Sequence, residues 1–226
     1  MDTKRHKRFI PHYPAKRLEA LADGVFAIVM TLMVLELAIP FISENSTNQE
    51  ITRALFSIWP KILTYFLSFM ILGVFWLIHH FIFENVKVYD TTLAWINIIF
   101  LMFVSLIPFT TSFLGEYFLE TTPTLIYGLQ LFLMFFLGFS LFAYSTAKNR
   151  LVEADFDAEI AKGGKVMGYI YFVILVIAIV FSFIKPVVSV SIYGLIVVLF
   201  IAFSGFGRAE YVITATSFGK KQNKGE

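Results

Sequence analysis

Six long apolar stretches, each near the length of a bilayer crossing, run over about 18–39, 54–78, 92–113, 124–147, 166–184 and 187–206 and leave room for little else. A helix needs about 20 mostly apolar residues to cross a hydrocarbon core of roughly 30 Å. The 226 residues are 58% hydrophobic and 15% charged, against about 45–50% and about 25% in soluble domains. With 27 Phe, the apolar surplus exceeds what a soluble core of this size buries. The sequence therefore predicts an all-α integral membrane protein. Its six transmembrane helices occupy 17–207, between a basic N-terminal tail, 1–16, and a C-terminal tail, 208–226. No cleavable signal is expected, because the first apolar run is too long and lacks a small-residue cleavage site. Cys is absent, which excludes disulfides and thiolate metal sites.

Charge gives the orientation. With six spans, both tails and the second–third and fourth–fifth links share one side. Of the 18 Lys and Arg, all but Arg53, Lys61 and Lys185 fall on that side. Positive charge stays inside, so both termini are expected in the cytosol. The outer links instead carry Glu44, Glu50, Glu116 and Glu120. An acidic mouth concentrates cations, but a solvated loop is often acidic for no such reason. The net charge of +2 is no sign of a nucleic-acid partner. Short links and the lack of targeting signals suit the plasma membrane of a prokaryote.

Several familiar chemistries are missing. There is no Thr-x-Gly-Tyr-Gly filter and no helix with Arg at every third position, so a standard potassium pore loop and a voltage sensor are excluded. Lys162-Gly163-Gly164-Lys165 lacks the spacing of a phosphate loop. Asp155-Phe156-Asp157 begins like a calcium loop, but Ile160 and Val166 stand where Gly and Glu are needed, so it reads as a solvated acidic segment. His79-His80 are adjacent and therefore off a common helix face, so hydrogen-bonded or interfacial histidines are expected rather than a metal pair. Gly164 and Gly168 form a weak small-residue packing signal. No nucleophile stands with a base, so no enzyme is expected, and no cofactor or resident metal.

The first apolar stretch is unusual. It opens Arg17-Leu18-Glu19-Ala20-Leu21-Ala22-Asp23-Gly24-Val25-Phe26-Ala27-Ile28. Asp23 lies roughly 7–8 Å into the span at about 1.5 Å per residue. A charge deep in a bilayer costs about 2.5–3.5 kcal/mol, less near its edge, and should face protein or water. At about 100° per residue, with Ile28 at zero, Gly24 falls near −40°, Thr31 near −60°, Leu35 near −20° and Asp23 near −140°. One face thus carries Gly24, Ile28, Thr31 and Leu35, while Asp23 points away with Glu19 near it. These two acids repel at this spacing and need donors from another helix. The polar residues of the next two stretches, His79, His80 and Asn97, are the candidates. On the residues alone, all of this also reads as helix packing.

The segment resembles the signature of the transmembrane protein 175 family of bacterial, archaeal and endolysosomal potassium channels. Their first helix begins Arg-x-x-x-Phe-Ser-Asp and commonly continues Gly-Val-Phe-Ala-Ile-x-x-Thr-Leu. Arg17 and Asp23 match the ends of the signature; Gly24, Val25, Phe26, Ala27, Ile28, Thr31 and Leu32 match the continuation. Leu21 and Ala22 replace Phe and Ser, so any Ser-centred hydrogen-bond network must differ. The run Phe75-Trp76-Leu77-Ile78-His79-His80, then Asn97, then Leu106-Ile107-Pro108-Phe109, also resembles the family in order.

The resemblance implies a homotetramer of six-helix subunits around one central pore lined by the first helix. Potassium and other monovalent cations are the implied permeants, and membrane lipids the surroundings. Carried over, the pore-lining residues are Gly24, Ile28, Thr31 and Leu35. Ile28 would form an apolar constriction, a hydrophobic gate, and Thr31 would offer oxygens to a passing potassium ion. Arg17, Asp23, His79, His80 and Asn97 would form the signature network. Two other readings of the residues stand beside this one: a secondary transporter, for which the two halves show no shared pattern, and a membrane scaffold without a pore.

Overall fold

A computed structural model describes residues 13–38, 40–43, 45–147, 151–152 and 156–202. The basic residues of 1–12, Lys148, Arg150 and the tail 208–226 lie outside the described residues. Among the described residues the fold is all-α apart from one two-residue strand pair and an isolated bridge between Val86 and Val152. Helix α1 spans Lys16–Leu32 and tightens into a single 3-10 turn at Met33–Glu36. The others are α2 Asn48–Ser57, α3 Trp59–Asn85, α4 Thr91–Ser105, α5 Ile107–Glu116, α6 Thr121–Thr146 and α7 Ala158–Ile184. A further apolar helix, α8, spans Pro186–Ala202.

Among the described residues, five helical runs are long and apolar enough to cross a membrane: Lys16–Glu36, Trp59–Asn85, Thr91–Glu116, Thr121–Thr146 and Ala158–Ile184. They correspond to the first five apolar stretches. The sixth stretch, α8, is shorter over its described residues. Pro186 opens it where it follows α7 directly, and Ser189 Oγ donates to Ala178 O at 2.7 Å, holding α8 against the end of α7.

Three expectations need correction. Residues 41–52 were expected to be a loop, but α2 begins inside them. Thr47 N-caps it, with Glu50 returning to Thr47 N at 2.8 Å in a capping box. The fifth helix was expected from 166 but starts at Ala158, where Asp157 Oδ1 accepts from Glu159 N at 2.8 Å. Half of the charged link therefore continues the span. The third stretch, expected over 92–113 with Pro108 near its end, is interrupted at Leu106 between α4 and α5 and runs on to Glu116. Pro108 lacks the N–H that would continue the ladder, and Gln130 Nε2 of α6 donates to Phe103 O at 2.8 Å beside the break. Phe103 O also accepts from Leu106 N at 3.2 Å, so one carbonyl takes two donors at the break.

Packing follows the apolar stripes. Leu18, Ala22, Phe26, Val29 and Met33 are the buried line of α1. Within the core, Thr111 Oγ1 of α5 donates to Ser68 Oγ of α3 at 2.8 Å, and Ser68 meets the Tyr127 hydroxyl of α6 at 2.7 Å. Gly128 lets the Tyr193 ring of α8 lie against α6, since a Cβ there would collide with its hydroxyl.

The ends of the bundle are sorted. Strand β1, Tyr13–Pro14, pairs antiparallel with β2, Val88–Tyr89. Ala15 N donates to Lys87 O at 3.2 Å, and Lys87 N to Leu151 O at 3.0 Å. The start of α1, the α3–α4 link and the α6–α7 link thus meet at one end. The α2–α3 junction and the α5–α6 turn meet at the other, where Lys61 pairs with Glu116 and Trp59 packs edge-on against Phe118 at 5.3 Å.

Candidate functional site

The site grows from α1, whose two faces differ sharply. The line Leu18–Ala22–Phe26–Val29–Met33 is buried against the chain's own helices. Opposite it, Gly24, Ile28, Thr31 and Leu35 are all exposed in the single chain. Ile28 is 59% and Leu35 71% exposed, as are large apolar side chains on the outer faces of the other helices. A Cβ at Gly24 would meet nothing within 4 Å. The face derived from helix arithmetic is therefore free of the subunit's own core. Thr31 Oγ1 donates back to Ile28 O at 2.8 Å and Ala27 O at 3.0 Å. With its hydrogen turned into the helix, the hydroxyl keeps lone pairs for an outside donor or cation.

Behind that face lies a polar network. Trp76 Nε1 of α3 donates to Asp23 Oδ1 at 2.9 Å. His80 Nδ1 stands 3.4 Å from Glu19 Oε1. His79 Nε2 and Asn97 Oδ1 are 2.8 Å apart, both residues buried; the Nε2–H tautomer donates to the amide oxygen. This corrects the expected partners of Asp23: the donor is Trp76, while His80 serves Glu19, and His79 and Asn97 serve each other. Sequence reasoning missed Trp76, which lies one helical turn before His80; the two rings stack at 5.6 Å. The His79 ring stacks on Phe83 at 4.4 Å and on Phe100 at 5.7 Å, which fixes its plane toward Asn97. Asn97 Nδ2 has no partner among the described residues.

Ala22 stands on the buried line with no exposure, where the signature has Ser. Its methyl fills core space, so the network runs without a hydroxyl there. Leu21 is exposed. Arg17 is exposed at the start of α1. Among the described residues no group of three or more His, Asp or Glu is arranged to hold a metal ion.

A bundle of membrane-length helices with a polar network between three of them is the form of a multi-pass membrane protein. The comparisons agree. The family described as endosomal/lysosomal potassium channel TMEM175 matches residues 17–108. A potassium channel of Chryseobacterium sp. (strain P1-3) is 31% identical over 188 residues, 82% of this chain and 91% of that protein. A potassium channel of Streptomyces collinus is 30% identical, over 66% of this chain and 73% of that protein. The human endosomal/lysosomal proton channel TMEM175 is 33% identical over 41% of this chain and 19% of its own length. The crystal structure of a lysosomal potassium-selective channel TMEM175 homologue from Chamaesiphon minutus superposes with a TM-score of 0.75 at 26% identity, covering 84% of this chain and 97% of that one. This chain belongs to the TMEM175 family of ion channels. It is a channel protein rather than an enzyme.

Proposed function

We propose that four copies of this chain, each contributing six spans with α8 as the sixth, enclose one pore lined by α1 and conduct potassium passively. The exposed face of α1 carries the reading: Gly24, Ile28, Thr31 and Leu35 lie outside the subunit core, while the opposite line is fully packed. An exposed Ile in a membrane-length helix gains nothing from water. Four of them brought together form an apolar ring narrow enough to close by dewetting.

One turn further along, four Thr31 oxygens meet a partly dehydrated cation. Potassium sheds water more readily than sodium, which yields modest selectivity without a carbonyl cage. Gly24 leaves a wide vestibule toward the Arg17 end. The Asp23–Trp76 and Glu19–His80 contacts hold α1 against α3, and His79–Asn97 ties α3 to α4, so that a small tilt of α1 moves the ring as a unit. Both termini lie in the cytosol, at the end where β1 meets β2, and the membrane is the plasma membrane of a prokaryote.

The test is cation flux from liposomes carrying the purified protein, with equal potassium and sodium gradients, and with a pH-sensitive dye inside because the animal relatives are named proton channels. Larger flux with potassium, raised further by Ile28→Asn and made less selective by Thr31→Ala or Thr31→Val, supports the reading. If neither position alters conductance or selectivity, α1 does not line the pore. Inserted tetramers that stay silent even with Ile28→Asn indicate a scaffold, and a monomer that couples two fluxes indicates a transporter.

A further inference from the structure

Helix α2 has no buried residue, although its capping box makes it a well-formed helix. At about 100° per residue, Ile51 and Leu55 project within roughly 40° of each other, with Glu50, Arg53 and Ser57 on the other side and Phe56, 71% exposed, at the edge between Leu55 and Arg53. Ile51 is 43% and Leu55 58% exposed. Only Ala54 and the junction residue Ile58 are half-buried against the chain.

Its position is fixed by covalent geometry. Ile58 is at once the C-cap of α2 and the N-cap of α3, with no linker between them. Pro60 lies in the first turn of α3, where its missing N–H costs nothing. Helix α3 is 27 residues long, about 40 Å at 1.5 Å per residue, more than the roughly 30 Å of hydrocarbon it must cross. Its first turn therefore reaches the headgroup level, and so does α2.

The exposed apolar surface does not stop at the junction. It passes from Leu55 to Trp59 and on through Leu63, Phe66 and Met70, at spacings of one helical turn, down the outside of α3. At the junction Trp59 packs edge-on against Phe118, and Tyr117 is exposed beside it. Aromatic residues collect in this way where a membrane protein crosses from lipid to water.

We propose that α2 is an interfacial helix, seated in the phospholipid headgroup region of the membrane face opposite the β1–β2 pair. Ile51 and Leu55 enter the lipid, while Glu50, Arg53 and Ser57 remain in water. Lipid is the occupant because the apolar side of α2 is continuous with the surface by which α3 meets the bilayer. The polar side is also uncovered, so the helix separates two media in the manner of an amphipathic membrane-surface helix.

The absence of Cys makes a direct test possible. Single cysteines at Gln49, Ile51, Arg53 and Leu55 carry a nitroxide in the full-length protein, in vesicles of phosphatidylcholine and phosphatidylglycerol. Collision rates with oxygen and with a water-soluble nickel chelate are then compared, with a label at Phe66 as the reference for correct insertion. The expected result is an oxygen-to-nickel ratio several-fold higher at Ile51 and Leu55 than at Gln49 and Arg53. A ratio equal at all four positions would place α2 in water and overturn the proposal. Labels at Ile51 and Leu55 shielded from both reagents and broadened by dipolar coupling would overturn it in favour of a second copy of the chain. The readout needs no ion flux, so it stands apart from the pore assignment.

Discussion

Trp76 Nε1 donates to Asp23 Oδ1 at 2.9 Å, so an indole of α3 holds a carboxylate set within the span of α1. The same Trp ring stacks on His80, which in turn faces Glu19. Two acids on one helix are thereby each met by a group from its neighbour.

Trp76→Phe keeps the ring and removes the donor. A hydrogen bond to a charged group contributes about 1.5–3 kcal/mol, and the partial exposure of both residues reduces this to about 1 kcal/mol. The expected result is a modest fall in the thermal midpoint of the detergent-solubilised protein. In a double-mutant cycle, Asp23→Leu and Trp76→Phe together should cost less than the sum of the two. Simple additivity would mean that the contact stabilises nothing.

Asn97 and His79 form a buried pair with one amide hydrogen-bonding group left over. Asn97→Leu strands the imidazole N–H in the core, at a cost of about 1–3 kcal/mol. Adding His79→Phe removes that stranded group and preserves the ring stack on Phe83 and Phe100. The double variant should melt above Asn97→Leu alone. A lower melt would show that the pair serves packing rather than polar satisfaction.

Gly128 is where α6 and α8 meet, with Ile179 Cγ1 at 3.2 Å from a built Cβ and the Tyr193 hydroxyl closer still. Overpacking a core costs about 1–3 kcal/mol, so Gly128→Ala should lower the thermal midpoint. Tyr193→Phe in the same chain removes the clashing oxygen and should recover part of the loss. No recovery would place the strain elsewhere.

Glu50 has its carboxyl held below the usual value of 4.5 by the backbone N–H and then the hydroxyl of Thr47. A lowered folded-state value means the carboxylate form supports the capped end of α2. That support is complete above the unfolded value and disappears as pH falls through the lowered folded one. Amide exchange across α2 should therefore accelerate only at acid pH, and Thr47→Ala should move the Glu50 titration back up toward 4.5. An unchanged titration in Thr47→Ala would remove the capping box from the account.

Much of this architecture is legible in the chain itself. Membrane-length helices follow from length and apolarity, because a bilayer accepts few other structures. The exposed line Gly24–Ile28–Thr31–Leu35 follows from helical periodicity, and Asp23, His79, His80 and Asn97 are legible as polar groups set in apolar stretches. What the sequence left open belongs to longer range. Helix α2 hid in a polar stretch, because a capped ten-residue helix has too few apolar positions to stand out by periodicity. The break at Leu106 was masked by unbroken hydrophobicity, and it is completed by Gln130 from another helix.

The partners within the polar network were decided only by the tertiary structure. Hydrogen bonds depend on which side chains arrive within 3 Å, and that is set by how α1, α3 and α4 rotate as their apolar stripes interlock. Composition and spacing name the polar groups that need partners. Only the packed helices determine that Trp76 answers Asp23, that His80 answers Glu19, and that His79 and Asn97 answer each other.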